Sequence, residues 1–112
     1  MSKVLERLRK KHGYPVEING ETFYVRSLNI GELRRLDKVE SDSKTGFVIG
    51  CALCFDGTGE PELPKLIDET DAAWSERVLG ELSDVATETI RSLSEGISKI
   101  GMTPKAETVL KN

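Results

Sequence analysis

Histidine and cysteine, the residues that most metal sites and many catalytic centres depend on, are nearly absent from this chain. There is one histidine, His12, and two cysteines, Cys51 and Cys54, in 112 residues. A structural zinc site takes four nitrogen or sulfur ligands, which these three cannot supply. A nucleophile–histidine–acid triad is equally unsupported, because no serine or cysteine on a recognisable turn accompanies His12. Long apolar runs are missing too. No stretch approaches the length that spans a bilayer, and the N-terminal segment is too polar for the apolar region of a signal peptide. Nor is there an excess of positive charge: 16 basic against 19 acidic side chains leave a net charge of -3, the reverse of a nucleic-acid binder. The expectation is a cytosolic, non-enzymatic protein without cofactor or metal, and without a nucleic-acid or membrane partner.

What is present reads as one domain, residues 1–112, a length that supports a single core. Residues 1–13 form a basic helix in which Val4, Leu5 and Leu8 alternate with Lys3, Arg7, Arg9, Lys10 and Lys11. His12-Gly13-Tyr14-Pro15 stops it. Residues 14–28 form a β-hairpin, since Asn19-Gly20 between two β-rich runs tolerates the positive φ of a type I′ turn. Val16 and Ile18 share one face of the first strand. On the second strand Phe23 and Val25 face one way, Tyr24 and Arg26 the other.

Residues 29–96 form a helical core. Asn29 with Glu32 three residues on makes a capping box, opening a helix with Ile30, Leu33, Leu36 and Val39 inward and Arg34, Arg35, Asp37 and Lys38 outward. A second helix, from about Thr45 through Cys54, is apolar nearly all round and belongs at the centre; Gly46 and Gly50, four apart, permit close packing on it. Residues 56–64 are a Gly- and Pro-rich loop. Asp68-Glu69-Thr70-Asp71 suits a helix start, and one long helix then carries Trp74, Val78, Leu82, Val85 or Ala86, Ile90 and Leu93 inward as far as Glu95-Gly96. Residues 97–112 form a partly ordered tail, with Thr103-Pro104 as cap and first-turn proline. The fold class expected is α+β, mostly α: an N-terminal hairpin packed on a bundle of about four helices.

Three motifs invite a chemical reading. Cys51-Ala52-Leu53-Cys54 has the spacing of a thiol redox pair, but such a pair wants its first cysteine at a helix N-terminus, and this one ends an apolar helix. The carboxylates of Asp56, Glu60, Asp68, Glu69 and Asp71 lack the spacing of a calcium loop and are explained by capping and solvation. Gly57-Thr58-Gly59 lacks the Gly-Lys-Ser/Thr that completes a phosphate loop. Trp74 reads as a core anchor.

In its order of elements the chain resembles the small tail assembly chaperones of long-tailed phages across residues 16–112. The resemblance is carried by Val25, Arg26 and Leu28 at the end of the hairpin, Glu32 and Leu33 in the next helix, and Cys54 and Asp56 at the end of the apolar helix. Gly59 and Pro61 in the loop, Asp71 at the acidic helix start, Leu82 and Ala86 in the long helix, and Glu107, Lys111 and Asn112 in the tail complete it. Two departures are an added glutamate in Gly59-Glu60-Pro61-Glu62-Leu63 and a more polar tail after Gly96.

The resemblance implies a protein of the host cytoplasm, absent from the mature virion, that binds and solubilises the tape measure protein during tail assembly. It also implies a longer, frameshifted form that recruits the tail tube protein; Leu110-Lys111-Asn112 can be encoded by a slippery heptamer of the form A AAA AAC. The partner-binding residues expected are Ile90, Leu93, Ile97, Ile100, Met102, Val109 and Leu110, of which those beyond Gly96 have no obvious core partner. Closing the domain is the competing role for them. Two other functions stay open: a virion neck or tail-completion protein, which would self-associate into a homo-oligomer, and a small thiol oxidoreductase using Cys51 and Cys54.

Overall fold

The computed structural model describes residues 3–102, with side chains through residue 100. The hairpin forms as its turn chemistry dictates. Asn19 and Gly20 take φ of 54° and 79°, closing the antiparallel pair of β1 (Tyr14–Ile18) and β2 (Glu21–Val25) with Val16 opposite Phe23 and Ile18 opposite Glu21. Ile18 and Val25 enter the core, and Val16 and Phe23 pack on it. The short helix α1 (Lys3–Leu8) precedes the hairpin and buries none of its residues.

Helix α2 (Ile30–Lys38) opens on the expected capping box: the Glu32 amide donates to Asn29 Oδ1 at 2.8 Å, and the Asn29 amide donates to Glu32 Oε1 at 2.9 Å. Its orientation differs from the expected one. Ile30 is 71% exposed and Leu33 50% exposed. The inward stripe is Glu32, Arg35, Leu36 and Val39, which has the i, i+3, i+4, i+7 spacing of one helix face. Glu32 is buried against Arg26, and Arg35 lies over the Phe47 ring at 5.3 Å. Both polar side chains occupy the face that an apolar pattern would assign to Ile30 and Leu33.

A 3₁₀ turn, Ser41–Ser43, leads into α3 (Lys44–Ala52), the central helix, which packs against α2, α4 (Asp71–Glu81) and α5 (Thr87–Met102). The two glycines of α3 explain how close α4 comes. A Cβ on Gly46 would collide with the Ser75 carbonyl oxygen, and one on Gly50 would lie 2.7 Å from the Trp74 ring. Around that contact the core gathers Phe47, Ile49, Trp74, Val78 and, from the sheet, Val25. Trp74 meets Phe47 edge-on at 5.5 Å and donates its indole N–H to the Leu63 carbonyl at 2.9 Å.

Two boundaries depart from the sequence reading. The helix expected to run on through Cys54 stops at Ala52. Leu53–Cys54 becomes β3, antiparallel to β2, with Cys54 bridged in turn to Pro61. The single long helix is broken at residues 82–86. There the Leu82 amide turns back to the Val78 and Leu79 carbonyls, and the Ala86 carbonyl starts α5. The break lets α5 cross β1, where Gly96 sits so close that a Cβ would be 3.0 Å from Val16. Glu95-Gly96 is therefore a packing point inside α5 and not its end. Among the described residues the result is five α-helices and a three-stranded antiparallel sheet in the order β1-β2-β3, an α+β architecture that is mostly helical, as expected.

The helix–helix contact makes a direct prediction. Gly46→Ala and Gly50→Ala overpack the α3–α4 seam and should each lower stability by about 1–3 kcal/mol. Gly80→Ala meets nothing within 4 Å and should leave stability unchanged or raise it by up to ~1 kcal/mol. Urea midpoints at constant m-value read all three.

Candidate interaction surface

A buried ion pair is set where β2 hands over to α2. Arg26, just past β2, donates from both terminal nitrogens to the two Glu32 oxygens, at 2.9 and 2.7 Å, and also to the Ser27 carbonyl at 3.0 Å. Its backbone amide donates to the Ala52 carbonyl at 2.9 Å, so the same residue fastens the end of α3. Arg26 Nε is buried and has no hydrogen-bond partner among the described residues. Burial works to push the Glu32 carboxyl up. Hydrogen bonds from Arg26 and the Asn29 amide outweigh it, and the carboxyl lies below its usual range.

Two clefts meet at this pair. The first, about 480 Å³, lies between the segment leaving α1 (residues 8–12, with Tyr14) and the β2–α2 junction (residues 26–29). The second, about 270 Å³, is lined by Lys11, Arg26, Glu32, Arg35, Gly50, Cys51, Pro61, Pro64, Lys65 and Trp74. Lys11 and Arg26 line both. Leu8, 74% exposed, and Leu28 give the first cleft its aliphatic lining. Ile30 and Leu33 stand exposed on the helix that begins directly after Asn29, the last residue lining it. Arg9, Lys10 and Lys11 line the cleft and make no ion pair among the described residues. Their backbone is held in place by the loop after β3. The Gly13 amide donates to the Gly57 carbonyl at 3.0 Å, and Gly59, at φ 85°, lies so near that a Cβ would be 2.7 Å from Lys11 Cβ.

The groups that invited chemical readings have other occupations. Cys51 and Cys54 are both free and buried. Burial, aided by the nearby Glu32 charge, pushes the Cys51 thiol up to about 12, and burial also raises that of Cys54, whose sulfur donates to the Ala52 carbonyl. Thiols in that state are poor nucleophiles. Asp71 pairs with Arg35 at 2.7 Å and Lys65 at 3.1 Å. Glu69 accepts two bonds from Arg77 and one from the Leu66 amide, which hold its carboxyl down to about 2. Asp56 accepts from the amide and hydroxyl of Thr58, an Asx turn that shapes the loop. Among the described residues no three His, Cys, Asp or Glu side chains are grouped so as to hold a metal ion.

The series expected to bind a partner is placed differently from that expectation. Leu93 and Ile97 are buried in the core, and Ile90 and Ile100 pack against it. The break at residues 82–86 carries them there, so along this stretch the apolar face closes the domain. Met102 falls at the end of α5, and Val109 and Leu110 lie outside the described residues. The exposed Ile30 and Leu33 were hidden from sequence reasoning because their spacing imitates a core stripe. The one available signal was Glu32, which capping alone did not require to be buried.

Removing Arg26 strands a buried carboxylate, so Arg26→Met should cost about 3–5 kcal/mol, and adding Glu32→Leu should recover much of it. The sign of the pH effect follows from the depressed Glu32 value. Its stabilisation is complete above the ordinary glutamate range and disappears as pH falls through the lower folded value. Urea unfolding from pH 7 down to about pH 3 should therefore show a shallower acid decline in Glu32→Gln than in the native chain. For the cysteines, Ellman's reagent at about pH 8 should find no rapidly reacting thiol in the folded protein and both after unfolding. Comparison with protein-family models, with curated proteins and with solved structures finds no match for this chain.

Proposed function

We propose that this protein is a non-catalytic phage tail assembly chaperone that binds the tape measure protein and keeps it soluble in the host cytoplasm during tail assembly. The observation that carries the reading is the pair Ile30 and Leu33, held in water at the start of a well-capped helix whose N-cap, Asn29, lines a cleft. Exposed apolar side chains grouped around a cleft are a feature of surfaces that receive a partner, and a helical partner can lay an apolar face into such a surface with no reacting group required. The residues of the family resemblance support it from another side, because several meet at one junction. Val25 is in the core, Arg26 grips Glu32, Leu28 packs on the core, and Cys54 and Pro61 bridge the loop that abuts Lys11. A longer form that recruits the tail tube protein belongs to the same proposal, as does absence from the mature virion.

Co-expression with the tape measure protein encoded downstream tests it. The tape measure protein should become soluble and co-purify. Ile30→Asp and Leu33→Asp, both at exposed positions, should leave the fold intact and weaken the complex roughly tenfold or more, the weight of an interface anchor. A tape measure protein that stays insoluble, together with recovery of this chain from purified particles, would replace the chaperone with a neck or tail-completion protein.

A further inference from the structure

The distribution of charge around the first cleft is out of character with the rest of the chain. Residues 3–11 hold five cations and one carboxylate, whereas the remaining sequence holds eleven cations and eighteen carboxylates. With so many acidic groups available, intramolecular pairing of the basic segment would be easy, yet Arg9, Lys10 and Lys11 make no ion pair among the described residues. They are not loosely displayed either, since the loop contacts at Gly13 and Gly59 fix the chain that carries them. The cleft thus joins cations that are unpaired among the described residues to the apolar Leu8 and Leu28, and Ile30 and Leu33 stand exposed on the helix that starts at its edge residue Asn29.

We infer that the segment received here is an acidic amphipathic helix, laying its apolar side on Leu8, Leu28, Ile30 and Leu33 and its carboxylates against residues 9–11. The inference rests on the chaperone reading in using the same surface, and it adds the chemistry of the partner. A nucleic acid fits less well. A long polyanion would extend past the basic segment onto the rest of the chain, where eighteen carboxylates against eleven cations oppose it at close range. The deeper cation, Arg26, is committed to Glu32 and is not available to a phosphate. A helix presents carboxylates and an apolar stripe on adjacent faces at the same time.

Fluorescence anisotropy with labelled synthetic peptides of roughly eighteen residues, about five helical turns, reads this directly. The probes are a leucine stripe flanked by glutamates, the same stripe flanked by lysines, the glutamates without the stripe, and an oligothymidylate of equal charge. The acidic amphipathic peptide should bind at least tenfold tighter than the other three and weaken as salt rises. Lys10→Glu/Lys11→Glu should reverse the preference between the two striped peptides while leaving the thermal melt unchanged; Lys10→Gln/Lys11→Gln serves if the reversed variant folds poorly. Equal binding of the two striped peptides, tightest binding of the oligonucleotide, no binding at all, or indifference to the lysine changes would each overturn it. The charge-reversed chain also separates the two proposals. If it and the native chain solubilise the tape measure protein equally, the acidic-helix inference falls and the chaperone reading stands. If the native chain binds the acidic peptide yet leaves the tape measure protein insoluble, the chaperone reading falls instead.

Discussion

The orientation of α2 is set by one ion pair, and the character of the exposed surface follows from that orientation. Glu32 accepts hydrogen bonds from both terminal nitrogens of Arg26 and from the Asn29 amide. The carboxylate thereby completes the N-cap of α2 and ties the helix to the strand before it. A helix turned so that position 32 faces inward must also turn Arg35, Leu36 and Val39 inward, and Ile30 and Leu33 then face water. Burying two charges brings little net stability even when they are paired. What this pair supplies is direction. With an apolar residue at position 32, the Arg35–Asp71 pair and the packing of Leu36 and Val39 would be left to resist rotation of its two large aliphatic side chains into the core.

The core can accept this arrangement because its stability comes from elsewhere. The α3–α4 seam has backbone nearly in contact at two glycines, with Phe47, Trp74 and Val78 filled in around it. Dispersion and apolar burial there do not involve α2's first turns. The sheet contributes a second fixed body: β2 is covered on one edge by β1 and on the other by β3, and the outer strand β1 carries Pro15, which has no amide to offer a further strand. The proposed interaction surface thus lies at the join between two stable units, where the exposed Leu8, Ile30 and Leu33 are not needed for packing.

The parts of this structure that were legible in the sequence are those settled locally. Asn19-Gly20 selects its turn from its own backbone preferences. Asn29 and Glu32 form a capping box from residues three apart, and an all-apolar helix with glycines four apart has few places to go but the centre. The parts that were not legible are decided at long range. Leu82, Val85 and Ile90 keep helical spacing straight through the break at residues 82–86, and the turn is rewarded only by α5 docking on β1 through Gly96 and Val16. β3 has two residues, too few to show a period, and exists because the β2 edge and Pro61 are there to receive it. The candidate surface was misplaced for a related reason. Apolar spacing makes Ile30 and Leu33 resemble core, and a helix end read at Glu95-Gly96 makes Ile97 and Ile100 resemble surplus, while a buried carboxylate and a helix that runs on through Gly96 reverse both assignments.

The separation of stability from display bears on what kind of binding this surface suits. A partner received on four aliphatic side chains and three free cations gains from apolar burial, which is insensitive to sequence detail, and from charges that are screened within about 10 Å at ordinary ionic strength. Neither term demands a unique docked geometry, and exposed ion pairs are individually weak. On the chaperone proposal, such a surface would grip many similar helical segments moderately and give each up when a better partner competes. A tight, singular interface would instead bury aromatic anchors in preformed pockets, and here the one tryptophan is spent in the core beside Phe47. The aliphatic and cationic character of the surface therefore matches holding a partner temporarily, which is what a protein that assists assembly without joining the product has to do.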